Sequence, residues 1–149
     1  VIISADTSGF VALSDTHFLI SSHLLTSGIG EIIDNAYEAA LAASSPDNTT
    51  AYTPVKLCIG FSEQDDRIVM SISGLSDTSS DESIYADSNN NRNYNMNRLC
   101  EPFFTTKEKH TGLGLSIVNQ MCILSGAALS MTYNTDTHMT TAYIAFKKA

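Results

Sequence analysis

Apolar positions along this chain repeat with two different periods, and the changes of period predict its elements. From about His23 to about Ala43, residues Leu25, Ile29, Ile32, Ile33, Ala36, Ala39 and Ala40 recur at helical spacing and mark the core face of a long helix. Ser21 or Ser22 can cap its start, and Ser44-Ser45-Pro46-Asp47 ends it. Gly28 and Gly30 lower helix propensity there and read as points of close packing against a sheet. Ahead of the helix, Gly9 to Leu13 and Phe18 to Ile20 are short apolar runs split by Ser14-Asp15-Thr16, the pattern of a small hairpin. After it the period falls to two. Val55 to Phe61 and Arg67 to Ile72 read as strands joined by the polar turn Ser62 to Asp66, with Ile68, Met70 and Ile72 on one face.

Residues 75–99 lose both periods. Clustered Ser, Asp and Asn, including Ser88-Asn89-Asn90-Asn91-Arg92-Asn93, predict a mobile loop of roughly 25 residues. A second helix is predicted from near Gly112 to about Leu124, with Leu115, Ile117, Val118, Met121 and Cys122 inward and Gly126 as its C-terminal cap. A hairpin closes the chain: Ala127 to Tyr133, the turn Asn134 to Thr137, then Met139 to Phe146. With no internal repeat and no dividing linker, residues 1–149 form one domain. The fold class is α/β (α+β), a two-layer sandwich with helices on one face of a mostly antiparallel, mixed sheet.

Composition narrows the functions open to such a domain. The 149 residues are 43% hydrophobic and 16% charged, which suits one soluble core. The net charge of −8 argues against nucleic acid as a partner. Val1 stands first instead of methionine, so a piece of a longer polypeptide is expected. The opening residues are too short and polar a run for a signal peptide, and no apolar run reaches membrane-spanning length. Cys58, Cys100 and Cys122 are widely spaced and read as reduced thiols in or near the core. His17, His23, His110 and His138 show no zinc-ligand spacing. Neither a Walker-type phosphate loop nor a nucleophile-base-acid set is present.

Two stretches carry candidate chemistry. Glu31, Asn35 and Glu38 fall at i, i+4 and i+7, so they share one helical face beside the core. Carboxylates and a carboxamide placed this way can hold Mg²⁺, a hard cation that prefers oxygen; the same three residues alone would equally describe a solvated face. Thr111-Gly112-Leu113-Gly114-Leu115 opens the second helix. Glycines at such a junction let backbone N–H groups approach an anion, although a plain turn has the same pattern.

The surrounding sequence is far more specific. The eighteen residues from Glu101 to Val118 closely resemble the phenylalanine box and second glycine box of sensor histidine kinases. Those boxes belong to the ATP-binding domain of the gyrase, chaperone, kinase and mismatch-repair superfamily. His110 departs from them, standing where many members have a further glycine. Upstream, Glu31-Ile32-Ile33-Asp34-Asn35-Ala36-Tyr37-Glu38-Ala39 resembles the asparagine box. The resemblance implies a Bergerat-type fold binding ATP and Mg²⁺, with the metal on Asn35 and a lid over about residues 75–110. It implies nucleotide contacts from Asn35, Glu38, Gly74, Asp77, Phe104, Thr106, Lys107, Thr111, Gly112, Leu113, Gly114 and Leu115. Glu31 takes the catalytic position, as a general base or as the holder of a metal-bound water. Phe103 and Phe104 either anchor the base of the lid or touch ligand; Lys107 follows the motif more closely than Lys109, and His110 reads as structural.

The first glycine box is degenerate. Extending Ile68, Met70 and Ile72 by two places Gly74 where the family has the aspartate that accepts the adenine amino hydrogen. Asp77 could substitute only in a longer or bulged strand. Loss of such a bond costs roughly 1.5–3 kcal/mol, about 10- to 150-fold in affinity.

The function implied is the catalytic domain of a two-component sensor histidine kinase. It would supply the ATP γ-phosphoryl to a histidine on a separate dimerisation domain of the same protein, with a response regulator receiver domain as the next acceptor. His23 lacks the acidic and proline neighbours of a phosphoaccepting histidine. The parent is expected to be a homodimer, this domain alone a monomer, and its location cytoplasmic. A degenerate pseudokinase or phosphotransfer-type domain acting through protein contacts is the alternative suggested by Gly74. A gyrase or mismatch-repair type ATPase is suggested by Glu31.

Overall fold

The computed structural model describes residues 2–6, 22–44, 55–77, 81–87, 89–107 and 110–148. Its strands are β1 (Ile2–Asp6), β2 (Lys56–Gln64), β3 (Arg67–Leu75), β4 (Asn91–Asn93), β5 (Ala128–Asn134) and β6 (Met139–Lys147). Its helices are α1 (Ser22–Ala43), the short α2 (Met96–Leu99) and α3 (Gly114–Ser125), with a 3-10 turn at Glu82–Ile84. The strands form one sheet in the order β1-β2-β3-β6-β5-β4. Only the β1–β2 pair is parallel, so the sheet is mixed and mostly antiparallel.

Period-two alternation makes the sheet a platform for α1 and α3. Ile68, Met70 and Ile72 of β3 pair with Phe146, Ile144 and Ala142 of β6, and all six are buried on one face. Ile32 of α1 and Val118, Met121 and Cys122 of α3 complete that core. Burial pushes the Cys122 thiol up to about 11, as befits a packing residue. Gly126 ends α3 with φ 65, the left-handed cap its sequence predicts.

Several expectations need correction. β2 continues to Gln64, which leaves Asp65 and Asp66 as the turn, with Asp65 at φ 51. β3 continues to Leu75, pairing Gly74 with Thr140. Gly28 packs against a helix and not the sheet: a Cβ there would lie 2.2 Å from Met121 Sδ of α3. A Cβ on Gly30 would meet nothing within 4 Å among the described residues. α3 begins at Gly114 and not near Gly112, because Gly112 adopts φ +69 and its carbonyl accepts from the Phe103 N–H at 3.0 Å. Ile117, read as inward, is 49% exposed, and Phe103 is 75% exposed and anchors no core. Ser22 is the first residue of α1, while Ser21 and the hairpin expected over 9–20 lie outside the described residues.

The stretch read as a mobile loop is largely built. β4 pairs with β5, Tyr85 bridges Tyr94, and Asn95 Oδ1 caps α2 by accepting from the Arg98 N–H. Ile84, Tyr85 and Leu99 bury a second apolar cluster against Tyr133 of β5, which is fully enclosed. These anchors are irregularly spaced among polar residues, so no period reveals them.

Ile144→Ala should lower stability by about 2–5 kcal/mol, whereas Ile117→Ala should change it by less than about 0.5 kcal/mol. Urea denaturation of the two variants checks this, and equal losses would contradict the observed face of α3.

Candidate functional site

Two adjoining cavities open where α1, the loop before α3 and the β3–β6 edge meet. The first, about 240 Å³, is walled by Glu31, Asp34, Asn35 and Glu38 on one side, with Phe104 to Lys107 and His110 to Gly112 opposite, Gly114 and Leu115 closing it. The second, about 200 Å³, is mostly apolar and runs over Ile72, Gly74, Ser76, Thr140 and Ala142 of the sheet. Asn35, Leu99, Thr106, Lys107 and Leu115 belong to both.

The polar face of α1 meets a cation there. Lys107 Nζ donates to Asn35 Oδ1 at 3.1 Å and to Glu38 Oε2 at 2.7 Å. A turn presents this lysine: its N–H donates to Thr105 Oγ1 at 3.0 Å, and the Thr105 hydroxyl donates back to its carbonyl at 3.3 Å. His110 Nε2 lies 3.7 Å from Glu38 Oε2, so the residue read as merely structural faces the site. The Lys107 hydrogen bond holds the Glu38 carboxyl below its usual value of 4.5 against the opposing effect of desolvation, aided by the Lys107 and His110 charges.

Glu31 stands against the start of α3. A Cβ on Gly114 would fall 2.6 Å from Glu31 Oε2 and 3.6 Å from Asn35 Nδ2, so any larger residue there would push the Glu31 carboxylate aside. Gly112 is constrained more tightly, since at φ +69 a Cβ would meet Phe103 and Phe104 backbone atoms at 2.6 Å. Phe104 is half-buried, lines the first cavity and packs on the second apolar cluster, with the Arg98 guanidinium 4.5 Å above its ring. Of the nucleotide contacts that the resemblance implies, Leu113 alone lines neither cavity, and Phe103 lines neither as well; the Leu113 carbonyl accepts from Ser116 Oγ at 2.7 Å and from the Ile117 N–H at 3.0 Å.

At the sheet the second cavity has an unanticipated floor. A Cβ on Gly74 would lie 2.8 Å from Leu57 Cδ2 and 3.4 Å from the Ala36 carbonyl oxygen, so the space of a side chain is already filled. The longer strand does not turn Asp77 inward: Gly74 and Ser76 keep the buried register, and Asp77 is exposed at the cavity wall. Ser76 Oγ and Thr140 Oγ1 are 2.6 Å apart, and Tyr94 Oη reaches Thr140 Oγ1 at 3.1 Å. Burial raises the Tyr94 phenol, which stays protonated. Sequence reading missed these three hydroxyls. Two further steps of the β3 alternation would have reached Ser76, and the parity of Ala142, Ile144 and Phe146 reaches Thr140.

The donor set suits a hard cation: Glu31, Asn35 and Glu38 offer oxygen, and the latter two already hold an ammonium. Among the described residues no group of three or more His, Cys, Asp or Glu converges as a metal cage. No described helix is long and apolar enough to cross a membrane.

The depressed Glu38 pKa makes the Lys107 contact pH-dependent. Its stabilisation is complete above the unfolded value of 4.5 and is lost as pH falls through the lower folded value. With side-chain exposures of 33% and 40% the pair is solvent-screened, so Lys107→Met should cost at most about 1 kcal/mol near neutral pH. As pH falls below 4.5 and through the lowered folded value the difference should close, which denaturation midpoints of both proteins across pH will show.

No protein-family model and no curated protein sequence matches the chain. Solved structures do match. The nucleotide-free catalytic domain of the histidine kinase ThkA superposes with a TM-score of 0.62 at 18% identity, over 87% of this chain and 69% of that one. The mycobacterial sensor histidine kinase MprB gives 0.61 at 18% identity, over 99% and 80%. Full-length ShkA, in complex with AMPPNP, gives 0.66 at 16% identity over 99% of this chain and 26% of its own. With its six-stranded sheet, its helices on one face and these superpositions, the chain has the fold of histidine kinase catalytic domains.

Proposed function

We propose that this domain binds ATP with Mg²⁺ and supplies the γ-phosphoryl group to a histidine on a separate dimerisation domain of its parent protein. The observation that carries this reading is the Asn35–Glu38–Lys107 constellation, set beside the glycine-lined start of α3 and opening into an apolar slot. A phosphate chain needs the first, an anion needs the second, and a nucleobase needs the third. The complex of ShkA with AMPPNP supports the same assignment.

Asn35 and Glu31 would hold Mg²⁺, whose chemistry when bound is neutralisation of phosphate charge. Lys107 would leave Glu38 for a phosphate oxygen, exchanging one charge-assisted hydrogen bond for another. Backbone N–H groups at Gly112 to Leu115 would orient the phosphates, and closure by the segment around Thr106 and Lys107 would exclude water. Glu31, held against Gly114, would act as a positioning residue, because activating water would waste the nucleotide of a phosphotransferase. The acceptor histidine and then a receiver-domain aspartate complete the transfer outside this chain. The parent would act as a homodimer on the cytoplasmic side of the cell, without nucleic acid as partner.

Gly74, its side-chain space filled by Leu57, favours a second reading: a pseudokinase or phosphotransfer-type domain that works through protein contacts. Calorimetric titration with a non-hydrolysable ATP analogue and Mg²⁺ separates the two. The kinase reading expects binding by the wild type that weakens by at least about tenfold, or 1.4 kcal/mol, in Asn35→Ala. Millimolar or absent binding in both proteins would overturn it in favour of the pseudokinase.

A further inference from the structure

The second cavity reads its occupant with hydroxyls. Its walls are apolar, from Ile32, Ala36 and Ala39 of α1 to Met131 of β5, and would sandwich a flat ring. Its buried polar edge is the pair Ser76 Oγ and Thr140 Oγ1, 2.6 Å apart, backed by Tyr94 Oη at 3.1 Å from Thr140. Ser76 is 6% exposed and its position is fixed by its N–H, which donates to the His138 carbonyl at 2.9 Å.

A hydroxyl is donor and acceptor at once, whereas a carboxylate only accepts. When Ser76 donates to Thr140, the Ser76 oxygen faces the cavity as an acceptor. When the bond reverses and Thr140 donates, the Ser76 proton becomes available to the occupant. Adenine presents an amino donor at the ring position where guanine presents a carbonyl acceptor. One hydroxyl pair can answer either by reversing. A fixed acceptor could not, since a site built for one hydrogen-bond sense rejects the opposite sense strongly. Asp77, the one carboxylate among the described residues on this cavity's wall, is exposed, where water competes for its hydrogen bonds.

We propose that this cavity accepts purine nucleoside triphosphates without selecting between adenine and guanine, the reversible Ser76–Thr140 hydroxyl pair reading both. The inference rests on the nucleotide-binding reading of the adjoining site, and concerns base selectivity alone.

Titration of the whole protein with AMPPNP and with GMPPNP, each with Mg²⁺, tests it. The two dissociation constants should agree within about tenfold. The double substitution Ser76→Ala with Thr140→Val should weaken both analogues by similar factors, on the order of threefold to tenfold. Ser76→Ala alone, with circular dichroism to verify the fold, should move both in the same direction. A preference for AMPPNP above about 100-fold would overturn the proposal. So would a preference abolished by Asp77→Asn, which would assign the reading to that carboxylate. Binding of AMPPNP alone removes only this inference; binding of neither analogue removes the nucleotide reading as well.

Discussion

α1 has to satisfy two demands at once, and the rest of the domain follows from how it does so. One stripe must be dry: Ile32 and Ala40 are 2% and 1% exposed against the sheet. The adjacent stripe must stay polar, because Glu31, Asn35 and Glu38 form a cavity wall. A helix this close to its neighbours needs small residues at the crossings. Gly28 yields to Met121, and Gly114 of α3 yields to the Glu31 carboxylate. Those two contacts let α1 and α3 approach closely beside the mouth of the site.

The second organising contact is electrostatic. Lys107 ties the loop before α3 to α1 across 69 or more residues of sequence, through Glu38 and Asn35. The ammonium already satisfies the oxygen atoms that a metal ion and its waters would otherwise face. In the nucleotide-binding reading proposed above, an incoming ligand would offer this cation an oxygen in exchange for that of Glu38. Phosphate does so with little loss, because one charge-assisted bond replaces another.

Much of this was legible in the sequence because the elements obey simple periods. The inward residues Ile68, Met70 and Ile72, the α1 stripe and the Gly126 cap follow from spacing alone. The juxtaposition of Asn35 with Lys107 was legible only through resemblance, since no local rule links positions 72 residues apart. The order of the segment over residues 75–99 is not legible in the sequence, for a physical reason. Its fold depends on Tyr133 of β5, a partner some distance away in sequence, and its asparagines serve as an edge strand and a helix cap. β1 went unread because five residues beside a parallel neighbour carry no alternation. The exposure of Ile117 does not follow from spacing, because α3 is apolar nearly all round and its pattern does not single out a buried face.

Gly74 shows why a missing side chain and an altered site are different things. If the position were merely vacant, water could fill it and the neighbouring groups would stay arranged for a carboxylate. Instead the space belongs to Leu57, from the neighbouring strand β2, with the Ala36 carbonyl oxygen close behind. Restoring an acid at 74 would force Leu57 aside and put a charge in an apolar cluster that also contains Ala40 and Val55. One inward step beyond Gly74, just past the end of β3, Ser76 meets Thr140 of β6, and this hydroxyl pair is the buried polar edge at this end of the cavity. The cavity's chemistry at this end therefore has to be derived from the hydroxyls that are present.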